Sequence, residues 1–373
     1  MNYSIRGLGA LSAMGEDAAS HYQSISRQSL PFRPLGEFMD CDYPELPAAW
    51  IANRRLLKHR KWSPAAMAGL HVARQAVAQA GWSAAELGDA VLVMGTSRGG
   101  VADWLHPWSE RRALPLMAAS NAMHGEAAAA ISIELGIRGA YQVISTGCSA
   151  GIDAMGMAAM HLQCGMAERA LVVAVDLPLV KLLLDSYAST GILSKDGRND
   201  PYHPQTSGIF PAEAAAALTL EVGEAKDAPR MLGYLANSDA RDPLALSADC
   251  GQLVTLLTRA VDIYGAPQAL CPHATGTASH AAAETACLTS AFPNEKPSLH
   301  LLKPFLGHGI GAGSLLETVV LVEFLRHRQV PANLAVLLGP DGFALPDQAL
   351  AAAGPIFKIA ASLGGHNALV ALR

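Results

Sequence analysis

The sequence predicts an α/β protein with a largely parallel sheet that helices cover on both faces. Short apolar segments of strand length alternate with alanine-rich segments of helix length along the 373 residues, a pattern typical of βαβ units. Hydrophobic residues make up 51% of the chain and charged residues 16%, which excludes a disordered chain. Aromatic residues make up only 6%, so we expect close packing through alanine and glycine.

The predicted elements follow in chain order. Strand-like runs cover residues 90–95, 141–145, 170–175, 214–221, 269–271, 298–302, 356–361 and 368–372. Helical runs cover residues 64–80, 121–135, 149–164, 250–264, 280–291 and 311–328. Residues 183–211 are rich in Asp, Asn, Gly, Ser and Pro, which predicts a long surface loop. A second polar stretch at 223–230 predicts two domains, 1–223 and 224–373.

Charge and hydropathy narrow the function classes. The chain has 27 Lys and Arg against 32 Asp and Glu, a net charge of −5 that argues against an extended nucleic-acid surface. The richest apolar run, ALVVAVDLPLVKLLL, contains Asp176, Pro178 and Lys181 and is too short to span a membrane. Charged residues also interrupt the N-terminal segment, and the six cysteines form no CxxC pair. We therefore expect free thiols, a cytoplasmic location and no membrane insertion.

Cys148 is the first candidate for chemistry. It lies in YQVISTGCSAGIDAMGMAAMH, between a predicted strand and a predicted helix. This position places the sulfur at a helix N-terminus, where the dipole and the free backbone amides favour a thiolate. The same amides can hold a developing oxyanion. Because most buried cysteines are inert, the local pattern leaves a nucleophile and a structural cysteine both open.

A second candidate segment is CPHATGTASHAAAETA. His273 follows a short predicted strand, the loop after it offers the hydroxyls of Thr275 and Thr277, and Glu284 lies on the next helix. A histidine at the end of a strand can be catalytic, but it more often has a structural hydrogen-bonding role. The segment alone therefore favours the structural interpretation.

Two later segments are also ambiguous when taken singly. In LHLLKPFLGHGIGAG, Lys303 ends a predicted strand and His308 lies in a glycine-rich turn that opens a helix. Close packing explains these glycines equally well. In AASLGGHNALVAL, Gly364 and Gly365 join two strands, as in an ordinary hairpin turn.

Taken together, these landmarks resemble the β-ketoacyl-acyl-carrier-protein synthases of the thiolase superfamily, in particular the elongating class with a Cys-His-His site. Their order is a helix-capping cysteine, a His-x-Thr-Gly-Thr loop, a Lys-x4-His-Gly turn and Gly-Gly-x-Asn before the last strand. The opening IRGLGALSAMG, GTSRGG at 95–100 and the LSKDGRNDPYHP loop extend the similarity along the chain. The resemblance implies a thiolase-like fold of two pseudo-symmetric βαβ halves in α-β-α-β-α layers.

The resemblance also implies an activity, the decarboxylative Claisen condensation of fatty-acid or polyketide and polyene biosynthesis. Cys148 would carry the acyl chain as a thioester. His273 and His308 would bind the oxygen of a malonyl thioester as neutral imidazoles while it loses CO2. Lys303 and Glu284 would form an ion pair that orients the histidines and tunes their charge.

The same resemblance assigns the binding residues. Thr275 and Thr277 would contact the phosphopantetheine arm of an acyl carrier protein, and the backbone amides of Cys148 and Leu363, next to Gly364, would form the oxyanion hole. No metal and no further cofactor is expected, because imidazoles meet the enolate charge and the substrates arrive on the 4'-phosphopantetheine of the carrier protein.

Three departures from the family pattern suggest a specialised synthase of a secondary pathway. The usual Thr-Ala-Cys is Thr-Gly-Cys here, and Ala281 replaces an aspartate that normally follows the histidine by eight positions. The gate that is normally Gly-Phe-Gly-Gly is Ser362-Leu363-Gly364-Gly365. The loss of its phenylalanine puts the usual control of acyl access in doubt.

Basic residues and the family's assembly suggest the partners. The run NRRLLKHRK at 53–61 holds five basic residues and no acid, which is typical of a solvated helix face. The resemblance places Arg60 and Lys61 where an acidic acyl carrier protein docks, with Arg111 and Arg112 near a second docking patch. It also implies a homodimer, or a heterodimer with another ketosynthase-like subunit.

Two other classes of function remain, a non-catalytic partner subunit and a different thiolase-fold activity, which would be either a thiolase or an initiating synthase. A non-catalytic partner subunit, similar to a chain-length factor, would usually lack the cysteine, but the Ala281 and Leu363 departures keep this alternative. A thiolase would need a second catalytic cysteine near the C-terminus, and the last cysteine is Cys287. An initiating synthase would have an asparagine in place of His308. The thiolase and the initiating synthase are therefore disfavoured.

Overall fold

A computed structural model describes residues 2–100, 105, 118–121, 123–242 and 251–373. In these residues the main chain forms two large mixed sheets and two small two-stranded sheets, Arg33–Pro34 with Pro47–Ala48 and Gln329–Val330 with Leu350–Ala351. The strands of the first sheet are Tyr3–Ser4, Leu8–Ser12, Val91–Gly95, Tyr141–Ile144, Arg169–Asp176 and Ala214–Val222. The strands of the second sheet are Arg230–Ser238, Ala269–Cys271, Ser298–Leu299, Ile356–Ser362 and His366–Leu372. The α-helices are Ala18–Ser26, Pro64–Ala80, Ala84–Gly88, Ala118–Asn121, Glu126–Leu135, Ala150–Gln163, Lys181–Ser189, Gly251–Tyr264, Ala278–Ala291, Lys303–Leu306 and Ile310–Arg326.

The two large sheets share one topology. If Leu8–Ser12 and Arg230–Ser238 are each counted as the first strand of a half, both sheets have the order 3-2-4-5-1. In each, the second strand pairs in parallel with the third and the fourth, and the fifth pairs antiparallel with the fourth and the first. The predicted pseudo-symmetric α/β fold is confirmed. The expectation of a largely parallel sheet is wrong, because each half returns its fifth strand antiparallel.

Helices and sheets alternate in five layers. Pro64–Ala80 packs on the outer face of the first sheet, and Gly251–Tyr264, with Ala278–Ala291 against it, covers the second. Between the sheets lie Ala150–Gln163 and Ile310–Arg326, which contact each other and both sheets. Nearly every residue of Ile310–Arg326 is buried, as its apolar sequence predicts. The predicted α-β-α-β-α order is therefore observed.

Glycine permits the close contact of the two central helices. A Cβ atom on Gly151 would lie 2.7 Å from the Cβ atom and the backbone nitrogen of Leu315. No larger residue fits there without separating the helices. Because Gly151 follows Cys148 by three residues, this contact brings the start of the cysteine helix against the helix that follows His308.

Some sequence expectations differ from the structure. The predicted loop 183–211 begins inside the helix Lys181–Ser189. The strand Arg230–Ser238 was not predicted, because Gly233 interrupts its apolar pattern.

Cysteines 41, 148, 164 and 271 are free. Cys287, however, is disulfide-bonded, since sequence spacing does not show which thiols meet in space. The division at residue 223 stays a prediction. Within the described ranges, no helix is long and apolar enough to cross a membrane.

Candidate active site

Cys148 lies in a sharp turn between a strand and a central helix. The strand Tyr141–Ile144 ends just before Thr146, a 3₁₀ turn covers Gly147–Ser149, and the helix begins at Ala150. Gly147 has φ 72°, a left-handed conformation that glycine adopts without strain. This turn directs the sulfur into a cavity between the two halves of the chain.

Two histidines from the second half of the chain meet Cys148. The Cys148 Sγ atom is 3.2 Å from Nε2 of His308. The rings of His273 and His308 are 5.6 Å apart and nearly perpendicular. Both histidines are buried; His273 follows the strand Ala269–Cys271, and His308 follows the short helix Lys303–Leu306. The geometry therefore unites the three residues that the sequence analysis placed in separate segments.

The cysteine and both histidines are uncharged at rest. Burial raises the pKa of the Cys148 thiol to about 11, although the positive charges of Lys303 and Arg98 lower it in part. Burial, together with the charge of Lys303, holds the pKa of His273 and of His308 well below 6.5. Burial therefore opposes the thiolate expected at the helix N-terminus, because desolvation raises the pKa of the thiol. His308 can instead accept the thiol proton during attack.

A buried ion cluster lies beneath the histidines, but its members differ from those expected. The Lys303 Nζ atom binds Glu317 at 2.6 Å, and Lys358 binds the other oxygen of the same carboxylate. The predicted Lys303–Glu284 pair is therefore wrong, since Glu317 on the central helix holds the lysine. One carboxylate between two lysines leaves a net positive charge, which favours neutral imidazoles. Both missed residues gave a sequence signal, because each is a charged residue inside an apolar run, LLETVV and IFKIAA.

Glu284 has a different role from the predicted one. Its carboxylate accepts hydrogen bonds of 2.8 Å from the backbone amides of His273 and Ala274 and from the Tyr202 hydroxyl. It also lies 3.3 Å from Nε2 of His280. Burial alone raises the pKa of Glu284, but His280 and these hydrogen bonds lower it to about 2. Glu284 therefore fixes the loop that carries His273.

A second buried carboxylate holds the turn of the nucleophile. Asp153, one turn into the cysteine helix, accepts hydrogen bonds from the Ser149 hydroxyl at 2.7 Å and from the Thr146 hydroxyl. From the second half of the chain it accepts a 2.6 Å bond from the Tyr234 hydroxyl and lies 3.0 Å from Nε2 of His366. Sequence reasoning missed this cluster, since its members are far apart in the chain.

The predicted oxyanion hole has an occupant. The backbone amide of Cys148 donates a 2.9 Å hydrogen bond to the hydroxyl oxygen of Ser362, and this hydroxyl donates to the carbonyl of Thr146. Leu363 and Gly364 begin the turn Leu363–Gly365, where Gly364 has φ 76°. The serine of the altered gate thus contacts the group that was expected to bind the oxyanion.

The cavity at Cys148 has a volume of about 520 Å³. The side chains of Thr275 and Thr277 line it, with their hydroxyl oxygens 3.2 Å apart. Two cations, Arg98 and Lys195, also line it. Among the described residues, no Asp or Glu contributes to its wall. Ile192, Ile209 and Ile310 also line the cavity, which therefore offers an apolar surface together with two positive charges.

The predicted docking residues lie at the surface where they are described. Arg60 and Lys61 are both exposed, and the Lys61 ammonium lies 4.0 Å from the centre of the Trp62 ring. Arg54, from the same basic run, instead binds the buried carboxylate of Glu213. Arg111 and Arg112 lie outside the described residues.

Comparison with known proteins identifies the family. Residues 48–226 match the family described as beta-ketoacyl synthase, N-terminal domain, and residues 230–336 match its C-terminal domain. The chain belongs to the β-ketoacyl synthase family. A 3-oxoacyl-[acyl-carrier-protein] synthase 2 of Mycobacterium bovis is 24% identical over 270 residues, or 66% of this chain and 65% of that protein. Nodulation protein E of Rhizobium meliloti is 25% identical over 88% of this chain and 86% of its own length.

A longer relative and two solved structures extend the comparison. This chain spans only 13% of the length of the highly reducing polyketide synthase sphB of Aspergillus fumigatus. The two are 25% identical over 85% of this chain. One chain of a solved complex, a type II polyketide synthase acyl-carrier protein with its ketosynthase, superposes on this chain with a TM-score of 0.86 at 19% identity. The superposition covers 100% of this chain and 98% of the chain in the complex. The ishigamide ketosynthase/chain length factor gives a TM-score of 0.85 at 21% identity, with the same coverage. These structures establish the fold.

Proposed function

We propose that this chain is a condensing enzyme, a 3-oxoacyl-[acyl-carrier-protein] synthase of fatty-acid or polyketide biosynthesis. It would join an acyl chain held on Cys148 to a malonyl thioester, with loss of CO2. The observation that supports this most strongly is the 3.2 Å contact of Cys148 Sγ with His308 Nε2, with His273 beside it in one cavity. A cysteine with a buried structural role would need neither histidine.

The first half-reaction loads the acyl chain. The Cys148 sulfur attacks the carbonyl carbon of the incoming thioester, and its proton passes to Nε2 of His308. The tetrahedral intermediate then collapses, the bond to the carrier thiol breaks, and that thiol takes the proton from His308, which is neutral again. Backbone amides of Cys148 and Leu363 are the proposed donors to the oxyanion.

The second half-reaction forms the carbon–carbon bond. The malonyl thioester loses CO2, and the electron pair left behind makes an enolate whose oxygen His273 and His308 stabilise through N–H donors. The enolate carbon attacks the acyl carbonyl on Cys148, the carbon–sulfur bond breaks, and the sulfur leaves as a thiolate that takes a proton from water to restore the resting thiol. Burial, together with the charges of Lys303 and Lys358, keeps both imidazoles uncharged beforehand, so they can bind the substrate oxygen without already carrying a charge.

Both substrates are proposed to arrive on the 4'-phosphopantetheine of an acyl carrier protein. Thr275 and Thr277 at the cavity are the proposed contacts of this arm, and exposed Arg60 and Lys61, with Arg111 and Arg112, are the proposed docking surface for an acidic carrier. The solved ketosynthase in complex with an acyl-carrier protein supports this partner. No resident metal or cofactor is required by the proposed steps.

A dimer is also proposed. The strand Tyr141–Ile144 forms the edge of the first sheet, and Tyr141 is 48% exposed. An exposed sheet edge of this kind is suited to pairing with a second chain. The partner is either a second copy or another ketosynthase-like subunit.

A second candidate function is a partner subunit with little activity of its own, similar to a chain-length factor. The contact of the Ser362 hydroxyl with the Cys148 amide favours it, because an occupied oxyanion site slows acyl transfer. Intact Cys148, His273 and His308 favour the synthase.

Mass spectrometry tests the two candidates. The protein is incubated with acyl-loaded carrier protein, beside a Cys148→Ala variant, and intact and peptide masses are measured. A thioester adduct on the Cys148 peptide that is absent from the variant supports the synthase. Absence of an adduct with every acyl donor supports the partner subunit instead.

A further inference from the structure

The Arg98 segment at the cavity wall is held by its backbone. Asp176, which is fully buried, accepts hydrogen bonds of 2.9 to 3.2 Å from the amides of Ser97, Arg98 and Ala312 and from the Thr96 hydroxyl. This carboxylate is therefore saturated by donors other than the guanidinium. The loop that bears Arg98 is fixed while its side chain stays available.

The Arg98 side chain has a phenol as its partner. Its Nε atom donates a 3.2 Å hydrogen bond to the hydroxyl oxygen of Tyr187, which is buried. Within the described part of the chain, no carboxylate pairs with this guanidinium, and the Tyr187 hydroxyl proton has no acceptor. The guanidinium and the phenol therefore adjoin in the cavity wall, and among the described residues neither is paired with a carboxylate.

Arg98 and Cys148 line the same cavity. The positive charge of Arg98 lowers the pKa of the Cys148 thiol, although burial raises that pKa overall. A group bound at Arg98 therefore lies in the cavity that holds the sulfur proposed to carry the acyl chain.

An alkyl chain is a poor match for this wall. Filling the cavity with hydrocarbon removes water from the guanidinium and the phenol and returns no hydrogen bond, which is costly for a charged group. A neutral carbonyl restores one acceptor but leaves the charge uncompensated. A carboxylate accepts from both groups and neutralises the charge, and guanidinium–carboxylate pairs are among the strongest hydrogen bonds in proteins.

We propose that Arg98 and Tyr187 bind a carboxylate carried by the acyl chain, so that the acyl substrate is a half-thioester of a dicarboxylic acid. The inference rests on the proposed function, because it assigns the substrate class of the same site. Arg98 and Tyr187 select the acyl chain by its carboxylate, whereas the cysteine and the histidines carry out the reaction.

The main experiment compares acyl chains of equal length on one carrier protein. Cys148 acylation is followed by intact mass with glutaryl and with pentanoyl carrier protein. The wild type should load glutaryl roughly tenfold faster, and Arg98→Gln should lose this preference because it keeps a donor but not the charge. Lys195→Gln, which removes the other cation of the cavity, should keep it. Equal or faster loading of pentanoyl by the wild type overturns the inference, as does a preference that survives in Arg98→Gln.

A second measurement separates this inference from the proposed function. Iodoacetate and iodoacetamide alkylate Cys148 through the same displacement of iodide, but only iodoacetate brings a carboxylate. The ratio of their rates should fall roughly tenfold in Arg98→Gln and stay unchanged in Lys195→Gln. If no acyl chain loads while this ratio falls, the proposed function fails and the carboxylate site stands. If chains load and neither preference depends on Arg98, only the carboxylate site is refuted.

Discussion

The backbone amide of Cys148 and the hydroxyl of Ser362 form a 2.9 Å hydrogen bond across the two halves of the chain. The amide belongs to the turn that carries the nucleophile, and Ser362 is the last residue of a second-sheet strand. The same hydroxyl donates to the Thr146 carbonyl, so it is held at both ends. A thioester oxygen that needs this amide must first displace Ser362.

Ser362→Ala should therefore accelerate acylation of Cys148. The change removes the competing acceptor and frees the amide, and a hydrogen bond of about 1 kcal/mol corresponds to a rate increase of roughly fivefold. The backbone of Ser362 is extended, with φ −129° and ψ 170°, so alanine fits without strain. The rate is measured by intact mass with one acyl carrier protein, and Ser194→Ala is the control. A slower variant would show that the hydroxyl assists the reaction.

His308→Ala should slow decarboxylation of malonyl carrier protein by roughly 10²- to 10³-fold, because it removes one donor to the enolate oxygen. CO2 release is measured directly, so that a defect in acyl loading does not affect the result. His327→Ala is the matched control, since His327 follows the far end of the helix Ile310–Arg326. An unchanged rate in His308→Ala is incompatible with the proposed role.

The acid limb of the pH–rate profile should lie well below pH 6.5. The imidazoles act as neutral groups, and burial together with Lys303 lowers the pKa of both His273 and His308. Activity is thus retained as pH falls through 6.5 and is lost only where the imidazoles take up protons. Lys303→Met removes a cation that depresses both pKa values, so its acid limb should shift upward by about one pH unit.

The control for this shift is Lys181→Met, which removes an exposed lysine paired with Asp42. Rates and circular dichroism are recorded together from acid to neutral pH, so that unfolding is not mistaken for titration. An acid limb that stays in place in Lys303→Met would mean that the cluster does not set the charge of the histidines.

The fold was largely predictable from sequence because it depends on periodic patterns. The helix Pro64–Ala80 has its predicted bounds, and it starts where the Ser63 side chain caps the amide of Ala66 before a proline at the first position. The antiparallel return of His366–Leu372 was not foreseen for the sheet as a whole, although Gly364 and Gly365 suggested a hairpin locally. Strand direction depends on how a whole half closes, which no short segment encodes.

The candidate site was predictable only in part. Cys148, His273 and His308 could be named because their segments together resemble a known family, although each segment alone was ambiguous. No pattern gave the 3.2 Å contact between sulfur and imidazole. The predicted pairing of Lys303 with Glu284 failed for the same reason, since Lys303 binds Glu317 instead. Ion pairs form between residues that are close in space, and two glutamates on two helices are equivalent until the helices are packed.

Metal removal should leave condensation unchanged, whereas added Zn²⁺ should inhibit it. The donor atoms of Cys148, His273 and His308 lie within 4.8 Å of one another, a spacing that a tetrahedral zinc ion with its usual bond lengths can bridge after small adjustments. Zinc would take the sulfur and both imidazoles that the proposed reaction uses. Because the pKa of Cys148 is raised to about 11, binding must release the thiol proton, so inhibition should strengthen as pH rises.

Activity and iodoacetamide alkylation of Cys148 are measured with EDTA, with micromolar Zn²⁺, and with Zn²⁺ followed by EDTA. Loss of activity in EDTA that Zn²⁺ restores would contradict the metal-free mechanism.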